Sequence, residues 1–164
     1  MPNQNREKAL EALKNLNIPY ELVEHEAVYT IGEVKALGLP SLGNSVKNLF
    51  LRDQKGKNHY LIVMLADKKA DLEGIGHILG VGKLSFASES RLEKYLGLTR
   101  GAVTALGVIN DETNAVNIVF DKDLVGNSKI GVHPNDNTAT AWLDFRDLER
   151  FISHFGNDIR YIEI

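Results

Sequence analysis

Val46-Lys47-Asn48-Leu49-Phe50-Leu51-Arg52 reads as a β-strand with two apolar faces. Side chains alternate across a strand, so Lys47, Leu49 and Leu51 share one face and Val46, Asn48 and Phe50 the other. A strand apolar on both sides belongs inside a sheet, not at its edge. The polar turn Asp53-Gln54-Lys55-Gly56-Lys57-Asn58 follows, and residues 59–65 return as the hairpin partner.

Working outward, residues 6–16 carry Ala9, Leu10, Leu13 and Leu16 on one helical stripe, stopped by Asn17 and Pro19. Residues 20–24 read as a strand. Thr30 and Glu33 are spaced as a capping box for a short helix ending at Gly38. On the C-terminal side the pattern predicts a helix around Leu72, Ile75 and Leu79 and a short strand over 85–87. A further helix runs from Ser88 or Ser90 to Gly97, and a strand covers 116–120. A second hairpin joins 130–133 to 139–143 across Pro134-Asn135-Asp136-Asn137. Asp144 caps a helix closed by Gly156, and residues 159–164 form a last strand. Short strands in hairpins with irregularly placed helices predict an α+β fold with a mixed, mostly antiparallel sheet. The 164 residues read as one domain, 1–164, without linker or repeat.

Composition narrows the function classes. There is no cysteine, which excludes disulfides, thiolate metal sites and cysteine nucleophiles, and a reducing cytoplasm is the simplest compartment. No apolar run approaches the ~18 residues a membrane span needs, and no signal-peptide pattern opens the chain. The net charge of -3 argues against an extended basic grip on nucleic acid. The run from Gly74 to Gly80 has its third glycine one residue late for a dinucleotide loop. Gly80-Val81-Gly82-Lys83 lacks the first glycine and the Ser/Thr of a phosphate loop. The five histidines share no ligand spacing, so no metal and no cofactor is expected.

Three features remain. Lys47 stands on an apolar strand face, where its head must be paired or must face a cleft. In Gly131-Val132-His133-Pro134-Asn135, the proline restricts His133 to extended backbone, so a rigid turn projects the imidazole and the Asn135 amide. In Gly97-Leu98-Thr99-Arg100-Gly101-Ala102-Val103-Thr104, glycines among small residues could offer backbone N–H groups to an oxyanion. Each also has a plain reading: a snorkelling lysine, an incidental turn histidine, a simple loop.

Together Lys47-Asn48-Leu49-Phe50-Leu51, Phe86-Ala87-Ser88, Gly101-Ala102-Val103-Thr104 and Gly131-Val132-His133-Pro134-Asn135-Asp136-Asn137-Thr138-Ala139-Thr140 resemble the YbaK/ProX family of aminoacyl-tRNA deacylases. That family is related to the editing insertion domain of bacterial prolyl-tRNA synthetase. The similarity runs over roughly residues 5–155 and is greatest to the freestanding alanyl-tRNA(Pro) deacylase branch. The resemblance implies a barrel-like α+β domain that hydrolyses mischarged Ala-tRNA(Pro) without metal or covalent nucleophile. It implies the tRNA(Pro) acceptor end as partner, with prolyl-tRNA synthetase as a second candidate. By the same resemblance Lys47 engages the terminal adenosine and its phosphate, Gly101 lines the reacting carbonyl, and His133 shapes the amino-acid pocket. Asn48, Asn135, Ala102 and Val103 lie in the same motifs, and Val28 and Thr30 in the segment from His25 to Thr30, a loop bordering the pocket. The chain departs from many relatives at Arg100, where they carry proline, and at Ala105-Leu106, where they carry Pro-Phe.

This chemistry suits the residues. An aminoacyl ester is already activated, so placing water and oxyanion donors suffices. A wall for the small side chain is expected from Val28, Leu49 and Val103, and the amide after Gly101 is a second oxyanion donor. Arg52, Lys55, Lys57, Lys68, Lys69 and Arg100 are candidate helpers of Lys47 on the tRNA. The alternatives are a deacylase for Cys-, Ser- or Thr-tRNA, a non-catalytic tRNA- or synthetase-binding module, and a nucleotide-binding protein outside translation.

Overall fold

The computed structural model describes residues 4–27 and 42–164. Helix α1 (Gln4–Asn15) leads to β1 (Glu21–Glu24), and the predicted capping box at Thr30 lies outside the described residues. The chain then runs through β2 (Asn44–Asp53), β3 (His59–Leu65), α2 (Leu72–Leu79), β4 (Leu84–Phe86), α3 (Glu89–Leu96) and a 3₁₀ helix (Ala105–Asn110). It ends with β5 (Val116–Asp121), a 3₁₀ turn (Lys122–Leu124), β6 (Ile130–Val132), β7 (Ala139–Leu143), α4 (Phe145–Phe155) and β8 (Ile159–Ile162).

The strands form one mixed sheet in the order β1-β7-β6-β2-β3-β5-β8, with β4 also on β2. Antiparallel pairings are β1·β7, β6·β7, β2·β3 and β2·β4; β2·β6, β3·β5 and β5·β8 are parallel. β2 is central, as its two apolar faces required.

Those faces feed two cores. Phe50 packs in the larger cluster with Leu61, Val63, Ile118, Phe120, Ile130 and Val132, covered by α1, α3, α4 and the 3₁₀ helix. Leu51 packs with Ile62, Met64 and Val119 in the smaller one, covered by Ile75 and Leu79 of α2. The caps follow the sequence. Ser88 accepts from Arg91 N–H and Asp144 from Arg146 N–H, and Gly97 and Gly156 close α3 and α4.

The differences lie at ends. β2 starts at Asn44, because Asn44 and Ser45 pair with β6, a long-range contact that a polar dipeptide does not advertise. β6 stops at Val132, so His133 leads out of the strand. β8 stops at Ile162, where its ladder with β5 ends at Asp121. The 3₁₀ helix at 105–110 has no apolar period to announce it.

Candidate active site at a split in the central strand

β2 keeps β3 along one edge but changes partner along the other. β6 pairs with Asn44 and Ser45, and β4 pairs only from Leu51 to Asp53. Asn44 N–H donates to Lys129 O at 3.0 Å, and Phe50 O accepts from Ala87 N–H at 3.0 Å, both on that second edge. Backbone groups of alternate residues point to the same side, so Val46 and Asn48 aim theirs there as well. Among the described residues no strand covers this interval, about 17 Å from Ser45 to Phe50 at ~3.3 Å per residue.

The parallel register runs Asn44↔Ile130 and Ser45↔Gly131. Two residues further on, each chain reaches Lys47 and His133. Val46 and Val132 both pack on the larger core, so Lys47 lies on the opposite face of β2, and His133 follows β6 just past its last pair with β2. Gly131 lies on that face opposite Trp142 of β7, next to Thr140. A Cβ on Gly131 would meet the Trp142 ring at 2.9 Å and Thr140 Cγ2 at 3.0 Å, so glycine is required for this contact.

Lys47 is half-buried, and its ammonium donates to the Lys68 carbonyl in the turn after β3. His133 donates from Nδ1 to Ala139 O at 3.0 Å, which leaves Nε2 as an acceptor on the neutral ring. Burial holds the His133 imidazole below its ordinary value of 6.5, against the Ala139 hydrogen bond and with the help of His25. The His25 ring meets that of His133 edge-on at 6.2 Å. His25 donates from Nδ1 to Glu26 O at 2.7 Å and accepts from the Thr140 hydroxyl on Nε2 at 2.9 Å.

Several buried polar atoms here have no hydrogen-bond partner among the described residues: Asn48 Oδ1, both amide atoms of Asn135, and Trp142 Nε1. Asn135 is 4% exposed and sits at φ +58, in the left-handed region. Buried polar atoms are normally satisfied, so each of these is open to a ligand's polar group, Asn48 Oδ1 on the larger-core face of β2 and Trp142 Nε1 on the opposite face with Gly131.

The loop after α3 is held from within. Asn110 Nδ2 donates to Leu96 O at 2.9 Å, Asn5 Nδ2 to Gly97 O at 2.7 Å, and Thr104 Oγ1 caps Leu106 N–H at 3.3 Å. Leu98 and Ala102 are buried. The loop is therefore fixed without the proline that Ala105 replaces. Gly101 adopts φ +89, where a side chain would be strained. Its N–H has no partner among the described residues, whereas Ala102 N–H donates to Thr99 O at 3.1 Å. The expected second oxyanion donor is thus already engaged.

Other expectations are corrected. Leu49 packs on the smaller core and Val103 on the larger, so they do not form one wall. Val28 and Thr30 lie outside the described residues. Lys68 is bound to Asp121, Asp123 and Ile164 O, so it is not an idle cation, whereas Arg100 only meets Glu89 at 3.5 Å on the open surface. Trp142 joins the site unforeseen, although it is the single tryptophan and faces a glycine across the second hairpin. Thr140 closes the quoted motif and His25 opens the loop expected to border the pocket, but neither had an assigned role. Among the described residues no three His, Asp or Glu side chains cluster as a metal site, and no helix is long and apolar enough to cross a membrane.

A sequence model of the aminoacyl-tRNA editing domain matches residues 25–151, from the end of β1 into α4. The chain belongs to the aminoacyl-tRNA editing domain family. Among its relatives, the prolyl-tRNA editing protein ProX of Acetoanaerobium sticklandii is 50% identical over 159 residues, 97% of each chain. The mouse prolyl-tRNA synthetase associated domain-containing protein 1 is 36% identical, over 87% of this chain and 86% of its own. A solved structure named as a proposed trans-editing enzyme for prolyl tRNA synthetase superposes with TM-score 0.73 at 20% identity, covering 100% of this chain and 99% of that one. At that identity the superposition establishes the editing-domain fold alone.

Proposed function

We propose that the protein is a trans-editing deacylase that hydrolyses the ester of Ala-tRNA(Pro). The observation that carries the reading is that Lys47 and His133 each follow the point where β2 and β6 part, at the split in β2, in a chain of the editing-domain family. The identity with a prolyl-tRNA editing protein supports proline tRNA as partner, and prolyl-tRNA synthetase is a second candidate.

In this reading the terminal adenosine enters at the split. The Lys47 ammonium, with one proton given to Lys68 O, offers its other two to phosphate or ribose. Gly101 N–H stabilises the oxyanion as water adds to the ester carbonyl. The tetrahedral adduct collapses, the C–O bond breaks, and the ribose oxygen takes up the proton that the attacking water gives up, to leave free alanine and tRNA. One oxyanion donor is worth about 10²–10³ in rate. His133 bounds the amino-acid pocket and is not assigned as general base. Asn48 and Asn135 supply the polar contacts their unpaired atoms lack. A synthetase pocket separates side chains differing by one methylene by only about 1–3 kcal/mol, so a second site that admits alanine and excludes proline restores fidelity.

The test is single-turnover hydrolysis of preformed Ala-, Cys-, Ser- and Pro-tRNA(Pro) by the purified protein and by Lys47→Ala. Fastest turnover of Ala-tRNA(Pro), lost in Lys47→Ala, is expected. Near wild-type turnover by the variant overturns the role of Lys47, and faster hydrolysis of another member of the panel overturns the choice of alanine.

A further inference from the structure

The carbonyl that receives Lys47 belongs to a turn clamped by the partly exposed Lys68 side chain on the buried carboxylate of Asp121. Asp121, at the end of β5, is fully buried. Its Oδ1 accepts from Lys68 Nζ at 2.9 Å and from Asp123 N–H at 3.0 Å, and its Oδ2 from Leu65 N–H at 3.3 Å. Lys68 Nζ also donates to Asp123 Oδ2 at 2.6 Å and to Ile164 O at 3.1 Å. Lys68 N–H closes the turn on Leu65 O at 3.1 Å, and Ala66 N–H reaches back to Ser45 O at 3.0 Å. Every side of the 65–68 turn is thus tied, and its one outward product is the bond from Lys68 O to Lys47.

A short turn needs only backbone bonds to close. A buried carboxylate costs solvation and is a weak source of stability even when paired. What it supplies is direction. We infer that Asp121 and Lys68 are a positioning pair that fixes the Lys68 carbonyl, and through it the direction of the Lys47 ammonium. The pair touches no substrate. It selects which of the three ammonium protons is spent on the protein and therefore where the other two point. The inference rests on the role proposed for Lys47.

The experiment is single-turnover kinetics of the full chain on Ala-tRNA(Pro), with unfolding curves to ensure each variant is folded at the assay temperature. Asp121→Asn keeps the shape but removes the charge, and Lys68→Met keeps the carbonyl but removes the ammonium. Each should lower kcat about tenfold or more, since small misplacements of a working group cost that much, with a smaller change in KM. Lys68→Arg, which still spans the two carboxylates, should recover most of the loss. In a Lys47→Ala background Asp121→Asn should cost nothing further, because the two act through one group. If Asp121→Asn does not fold, Asp121→Asn/Lys68→Met leaves no unpaired buried charge and carries the same comparison. Loss of activity in Lys47→Ala with wild-type kcat in folded Asp121→Asn overturns the positioning pair alone. An equal further loss on the Lys47→Ala background does the same, because it marks a general effect on stability. Wild-type turnover by Lys47→Ala overturns the assignment of Lys47 and the pair's role with it.

Discussion

Gly131→Ala tests the tightest contact of the site face. The new methyl would lie 2.9 Å from both Cη2 and Cζ3 of Trp142 and 3.0 Å from Thr140 Cγ2. Carbon atoms pack at about 3.5–4.0 Å, so the overlap is at least about half an ångström. Neither neighbour can swing away. Trp142 is buried between β6 and β1, paired to Gly131 on one side and Glu21 on the other. Relief therefore requires β6 and β7 to spread, at about 1–3 kcal/mol for such overpacking. Gly131 is not among the positive-φ glycines, so alanine fits the backbone and restrains the unfolded chain, which returns up to about 1 kcal/mol. The net expectation is a loss of about 1–2 kcal/mol. For a chain of this size that is a fall in Tm of about 2–8 °C. Urea and thermal unfolding measure it. Trp142→Phe removes the two clashing atoms, so the double variant should be more stable than the sum of the single effects by about 1 kcal/mol. A Gly131→Ala protein as stable as wild type, or strict additivity with Trp142→Phe, refutes the packing argument.

Burial, with Arg91 next, pushes His59 below its ordinary value of 6.5, and His133 is lowered in the same direction. The unfolded chain therefore binds more protons in the window below 6.5, so stability is full above it and falls as pH drops towards the folded values. Denaturant midpoints at stepped pH should show this, and His59→Phe, which keeps the stack on Phe50 and Tyr95, should flatten the acid limb; an unchanged limb refutes the assignment. Asp111→Ala removes the acceptor of Ala115 N–H, Val116 N–H and Asn157 Nδ2 at 2.8–3.0 Å and should cost about 3 kcal/mol in urea titration, against less than about 1 if those donors find other partners. With Lys68 already paired and a net charge of -3, tRNA affinity should fall with salt at a log–log slope no steeper than about 3. A slope beyond about 5 means a far wider phosphate contact.

Local rules carried the sequence reading a long way. The alternation in residues 46–52 identified a central strand, the hairpin partner at 59–65 matched β3, and Ser88, Gly97, Asp144 and Gly156 marked helix ends that the structure bears out. What stayed hidden depends on distant partners. Nothing near Asn44 or Ser45 announces the parallel pairing with Ile130 and Gly131, and the split in β2 arises from that pairing. Lys68 read as a surface cation because Asp121 approaches it from another strand. The motif residues Lys47, Gly101 and His133 were legible, as were the segments that hold His25 and Thr140, whereas Trp142 and the contacts among His25, Thr140 and His133 were not, since support is a property of packing and not of spacing.

The divided edge of β2 also limits how such a cleft can be resized. Its opening is counted in residues of one strand, between the point where β6 leaves and the point where β4 arrives. Backbone groups of β2 face that edge only at every second residue, so moving either point by a single residue adds or removes no hydrogen-bonded position there. The opening can therefore grow or shrink only in steps of two residues, about 6.6 Å each. Finer adjustment to one amino acid or another must come from the side chains around the rim, while the strand beneath them keeps its register with β3.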